Sequence, residues 1–145
     1  MPTAAVDEPR FFLDRGLGSQ IVPTTLRARG WSLTTMDERY GTDRSQAVGD
    51  EEWISDAAVR GEILLCKDRA VARNVAEARA IYMHDARVFA LARADLTGPA
   101  MAALLLDAEQ RLLRMAVRAR GPYVVSISPN GLTRLRLAYP LPGGR

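Results

Sequence analysis

The stretch Glu62-Ile63-Leu64-Leu65-Cys66-Lys67-Asp68 runs four apolar residues without a break and then turns abruptly to charge. A strand with one wet face alternates apolar and polar side chains. An unbroken run suits a strand covered on both faces, as in a parallel sheet. Before it, residues 50–60 carry Trp53, Ile54, Ala57 and Ala58 at helical spacing, and Gly61 sits where a helix stops. After it, a polar turn reaches Asn74, a good cap for a helix over 75–84. Arg87 to Leu91 then reads as the next strand. Helix, strand, helix, strand in this order is the signature of an α/β chain.

The same alternation extends both ways. Arg10 to Asp14 reads as a short buried strand ending on an acid. Gly16 and Gly18 follow, then a helix over 19–29 that Ser19 caps, with Pro23 in its first turn and Gly30 at its end. Trp31 to Thr35 is a strand. The polar stretch from Met36 to Gly49 shows no helical stripe and reads as a long loop. Thr97 caps one long helix to about Arg118, whose apolar positions Met101, Leu104, Leu105, Ala108, Leu112, Met115 and Ala116 follow helical spacing. Residues 123–128 and 132–137 flank Pro129-Asn130-Gly131, a hairpin signal. The expected fold is a mostly parallel central sheet flanked by helices, with a C-terminal β-hairpin. One domain is expected over 9–139, with flexible tails at 1–8 and 140–145.

Composition narrows the chemistry. The chain has 145 residues, ample for one core without staples. No apolar run approaches the roughly 20 residues that cross a bilayer. The N-terminus lacks the basic-then-apolar order of a secretory signal, so the chain is read as cytoplasmic with no membrane partner. There is one cysteine and one histidine, which excludes an internal disulfide and zinc sites built on either residue. A metal here is held by carboxylates, which points to Mg²⁺ or Mn²⁺. The formal net charge is +3, and every basic residue except Lys67 is arginine. Arginine suits phosphate, although a GC-rich genome enriches arginine too.

In open parallel sheets, ligands bind at the carboxyl ends of the strands. Asp14 ends the first strand, Asp68 lies just past the third, and Asp50 opens the helix leading into it. If the first and third strands are neighbours, Asp14 and Asp68 meet at one edge. Asp50 joins them if its helix starts there. Three close carboxylates repel one another unless a cation joins them. Mg²⁺ held this way polarises a phosphoryl oxygen and activates water. Each acid also has a local explanation: Asp50 as a helix cap with Glu51 and Glu52 in its first turn, Asp68 as a turn residue.

Phe12-Leu13-Asp14, Asp50-Glu51-Glu52-Trp53 and Leu64-Leu65-Cys66-Lys67-Asp68 resemble the three acidic blocks of PIN-like domains, in particular a divergent branch of the VapC-type toxins of bacterial toxin–antitoxin pairs. The resemblance implies a Mg²⁺-dependent endoribonuclease, a small antitoxin partner and a homodimer. Asp14, Asp50 and Asp68 would be the metal ligands. A fourth acid is expected near the end of the fourth strand, where Asp95 is the candidate and Asp85 is less well placed. Cys66 stands where the family has Thr or Ser. Asp50 stands where many relatives have Glu, which leaves Glu51 and Glu52 as alternatives. A catalytically weak module binding RNA or a partner protein is the second reading, and a maturation nuclease without an antitoxin the third.

Lys67, the only lysine, adjoins Asp68 and reads either as a cation for the scissile phosphate or as a solvated charge at a strand end. Arg15 is ambiguous in the same way. Arg111, Arg114 and Arg118 share one helix face, read first as a solvated face and second as an RNA or antitoxin contact. Gly16-Leu17-Gly18 lacks the third glycine of a dinucleotide fingerprint, since Ile21 occupies its place. His84 and Cys66 read as structural.

Overall fold

Phe11 and Leu13 point to one side of a sheet and Phe12 to the other, and all three are buried. That alternation makes the first strand the middle of a three-layer sandwich. The computed structural model describes residues 8–141. The strands are β1 (Arg10–Leu13), β2 (Ser32–Thr35), β3 (Ile63–Cys66), β4 (Arg87–Leu91), β5 (Tyr123–Ser128) and β6 (Gly131–Leu135). The helices are α1 (Ile21–Ala28), α2 (Met36–Tyr40), α3 (Asp50–Val59), α4 (Ala70–Arg73), α5 (Val75–Met83), α6 (Gly98–Asp107) and α7 (Glu109–Arg118). They form one six-stranded sheet in the order β2-β1-β3-β4-β5-β6. All pairings are parallel except the last, where β5 and β6 close an antiparallel hairpin with Ser128 opposite Gly131.

Two apolar layers cover the sheet. On one face Val22 and Leu26 of α1, Met101 and Leu105 of α6, and Leu112 and Ala116 of α7 pack against Phe11, Leu13, Leu65, Phe89 and Val125. On the other, Trp53, Ile54 and Ala57 of α3, Val71 of α4 and Ile81 of α5 pack against Phe12, Leu64, Cys66, Val88 and Val124. Every residue of β3 is buried, as an unbroken apolar run requires. Each such large side chain contributes about 1.5–3 kcal/mol through burial.

Five details depart from the sequence-based expectation, one of them α4, which stands where a polar turn was expected. The stretch after Thr35 opens with a helix, α2, rather than a loop. Thr35 accepts from the Glu38 N–H and the Glu38 carboxylate accepts from the Thr35 N–H, a reciprocal cap. Ser19 does not cap α1, which starts two residues later after Gln20, because Gly18 turns the chain with a positive φ of 79°. The long helix is two, broken at Ala108, although one apolar stripe runs through both. Gly49, not Asp50, is the cap of α3, which leaves the Asp50 carboxylate for other partners. Of the tails expected at 1–8 and 140–145, all but Glu8, Pro140 and Leu141 lie outside the described residues.

Candidate active site

The strand order reverses between β1 and β3, and in doubly wound sheets such a reversal opens a crevice at the carboxyl edge. Asp14 stands in it. Its backbone N–H still donates to the Leu65 carbonyl of β3 at 3.0 Å. Its carboxylate caps the short 3₁₀ turn Arg15–Leu17, taking the Leu17 N–H on Oδ1 at 3.2 Å, and takes the Lys67 N–H on Oδ2 at 3.3 Å. One side chain therefore ties the end of β1 to the end of β3. Both of these donors are backbone amides.

The start of α3 lies at the same edge. The Arg15 guanidinium donates to Asp50 Oδ1 at 3.1 Å and to the carbonyls of Ser45 and Val48 at 3.1 and 2.5 Å. Asp50 Oδ1 also accepts from Trp53 Nε1 at 2.9 Å, one turn along its own helix. Asp50 is thus positioned by side chains rather than used as a cap. Asp68 is exposed just past β3, and its Oδ1 accepts from the Ala70 N–H at 2.9 Å, a turn role. The stem of Lys67 lies so close to Gly16 that an added Cβ there would stand 2.9 Å from Lys67 Cβ and 3.2 Å from Asp14 Oδ1. The glycine is needed for close approach.

The electrostatics bind these groups together. Burial pushes the Asp14 carboxyl up to about 6; the amides of Lys67, Leu17 and Gly16 oppose this, and the Asp50 charge adds to it. Glu77, in the first turn of α5, is pushed up to about 7 by burial and then by Asp50, Asp14, Glu51 and Asp68. The fold therefore adds a fourth carboxylate that the sequence reading did not find. Its signal was present: Asn74 caps α5 through the Glu77 N–H, while the Asn74 N–H goes to the Ala70 carbonyl. The cap is one-sided and leaves the Glu77 side chain free. Burial, then Asp14, Glu77 and Asp50, push the Cys66 thiol up, so it is an inert core group.

Asp95 follows β4 and is not among the charges that shift Asp14 or Glu77. It is exposed and held in a two-point ion pair by Arg93, at 3.0 and 2.8 Å. Asp85 lies before β4, at the opposite edge of the sheet, with a positive φ of 52°. His84 ends α5 and is exposed. Among the described residues no three His, Cys, Asp or Glu side chains are gathered closely enough to hold an ion as they stand. The donor chemistry nonetheless fits a hard cation. Asp14 is a partly buried carboxylate that takes two backbone amides, and burial, with Asp50 beside it, raises its pKa. A small cleft of about 90 Å³ opens beside Arg15, between Ser19, Thr35, Asp37 and Gln46. Among the described residues no helix is long and apolar enough to cross a membrane.

Comparison with known proteins agrees with this architecture. Residues 9–93 match the family described as PIN like domain. The chain is 36% identical over 129 residues to a Mycobacterium tuberculosis protein named "Putative ribonuclease VapC45", covering 89% of this chain and 93% of that protein. No solved structure matches the chain.

Proposed function

Because the chain belongs to the PIN-like domain family, we propose that it is a metal-dependent endoribonuclease, the toxin of a toxin–antitoxin pair. The observation that carries this reading is Asp14. It sits where the strand order reverses, takes two backbone amides, and is pushed up to about 6 by burial, with the Asp50 charge adding to it. Such a group suits a hard cation, and its neighbours Asp50, Asp68 and Glu77 would supply the remaining oxygen ligands. Glu77 takes the place first expected of Asp95. When bound, Mg²⁺ or Mn²⁺ supplies a Lewis acid for the phosphoryl oxygen and lowers the pKa of an attacking water.

The chain's own residues do the rest. The amides of Leu17 and Lys67 fix the orientation of the Asp14 carboxylate. Arg15 and Trp53 hold Asp50 at the start of α3. Lys67 places the only lysine of the chain beside Asp14, where its charge offsets that of an incoming phosphate. A small antitoxin and a homodimer complete the proposal, both drawn from the family. A second reading, a non-catalytic module that binds RNA or a partner protein, is favoured by two observations: Arg15 already pairs with Asp50, and no three ligating side chains are assembled among the described residues.

Cleavage separates the two. The purified chain with Mg²⁺ should cut single-stranded RNA, and EDTA should stop it. Asp14→Asn, Asp50→Asn and Asp68→Asn should each abolish cutting, with losses that do not add because the groups act as one unit. Parent-like rates in all three variants, or a parent inert with either ion, would move the assignment to the binding module.

A further inference from the structure

The charge of this chain is divided by position. All 17 acidic residues lie at or before Glu109, and seven arginines follow it. Residues 1–109 hold 13 basic residues against those acids, a formal charge of −4, and the last 36 residues carry +7. Six of the seven arginines are described: Arg111, Arg114, Arg118, Arg120, Arg134 and Arg136. All six are exposed, and none forms an ion pair among the described residues.

The fold brings four of them onto one surface. Arg111, Arg114 and Arg118 follow helical spacing on α7, away from its buried Leu112 and Ala116. Arg134 shares its face of β6 with Leu132, which packs into the same layer as Leu112 and Ala116. Its guanidinium lies 5.3 Å from the centre of the Tyr123 ring. The Arg111 guanidinium reaches the start of β6, where a Cβ on Gly131 would stand 3.5 Å away. A helix face and an edge strand thus form one arginine surface on the α1–α6–α7 side of the sheet.

This surface answers a difficulty of the carboxylate edge. A polyanion must approach acids that belong to the negative part of the chain, so the attraction has to come from elsewhere. Guanidinium groups stay charged at every relevant pH and match phosphate geometry. We infer that the α7–β6 arginine face binds the phosphate backbone of single-stranded RNA and holds the strand away from the point of cutting. β6 lies three strands from β3, about 14 Å at the usual spacing, so the face meets flanking nucleotides rather than the scissile one. The inference rests on the ribonuclease reading for the identity of the polyanion.

The test uses the full chain with Arg111, Arg114 and Arg118 all changed to Gln, and Arg134→Gln as a second variant. Binding of a labelled single-stranded RNA of about 20 nucleotides is measured in EDTA across a salt series. Each lost phosphate contact lowers the salt slope by about 0.7 on single strands, so the triple variant should lose about 2 in slope and tenfold or more in affinity at low salt. Its melting temperature should stay within about 2 °C of the parent, since the three side chains are exposed. With Mg²⁺, cleavage of a very short RNA should be equal in parent and variant, while cleavage of the long RNA should show a raised KM. If the slope falls but neither protein cuts any RNA, the surface stands and the nuclease reading falls. If parent and variant bind RNA with equal affinity and slope, or the parent binds none, the inference is overturned. It is overturned equally if the variant keeps its RNA affinity and loses only an acidic protein partner.

Discussion

Asp14 concentrates the chemistry of this chain in one side chain. Its carboxyl is ordinarily near 3.8 and stands at about 6 in the fold. Between those values the folded protein holds the proton more tightly than the unfolded chain does. Ionising Asp14 therefore costs stability, a loss that begins near pH 4 and is complete above about pH 6. In EDTA the parent should lose melting temperature across that window, and Asp14→Asn should remove part of the loss. Parallel profiles for parent and variant would contradict the assignment. Gly16 allows a second test beside it. An alanine Cβ would meet Lys67 Cβ at 2.9 Å, so Gly16→Ala should cost about 1–3 kcal/mol by overpacking and lower RNA cleavage by displacing Lys67. Gly49→Ala, with nothing within 4 Å of the added carbon, should cost about 0.5–1 kcal/mol, from the poorer helix cap alone, and leave cleavage unchanged. Equal melts for the two variants would show that the contact at Gly16 does not matter. At this scale the sequence was partly legible. Asp14, Asp50 and Asp68 stood out because each closes or opens an element. Glu77 did not, because its position in the first turn behind Asn74 is also what an ordinary cap looks like.

Elements were readable where an apolar stripe or a cap marked them. The stretch Arg87 to Leu91 appears as a strand with those bounds, and the strand expected over Glu62 to Cys66 starts one residue later, at Ile63. The helix α2 was missed because five residues cannot show a stripe; its only signal was Thr35 with Glu38 three residues on. The break at Ala108 was invisible because Leu105, Ala108 and Leu112 stay buried on one side of it. What α2 contributes is an anchor. Arg39 donates to both oxygens of Glu62, at 2.6 and 2.5 Å, just before β3, and lies 4.5 Å above the Phe12 ring. Both partners of this pair are almost wholly buried. Arg39→Ala leaves Glu62 charged and alone, which should cost about 3–5 kcal/mol. For a domain of this size that is roughly 10–20 °C in Tm. Arg39→Met combined with Glu62→Gln should be much milder. A thermal scan in which the single variant melts with the parent would show that the pair contributes nothing.

Over the whole molecule, the alternation of elements announced a parallel α/β sheet, yet sequence order does not give strand order. The adjacency of β1 and β3 could only be posed as a condition, and the structure meets it with Asp14 bridging the two strand ends. The start of α3 was a second condition, met by the contact of Arg15 with Asp50. The membership of the PIN-like family then accounts for the order of the acidic blocks. In the function we propose, Asp14, Asp50 and Asp68 serve one cation and are not three unrelated capping and turn residues. The most direct measurement is the melting temperature of parent, Asp14→Asn, Asp50→Asn and Asp68→Asn, each with EDTA and with Mg²⁺ or Mn²⁺. At a hundred times the dissociation constant a bound ion stabilises the parent by about 2.7 kcal/mol, roughly 5–15 °C here. The parent should show that rise, and every variant should lose most of it. A parent that ignores both ions, with variants that melt no differently in either condition, would contradict it.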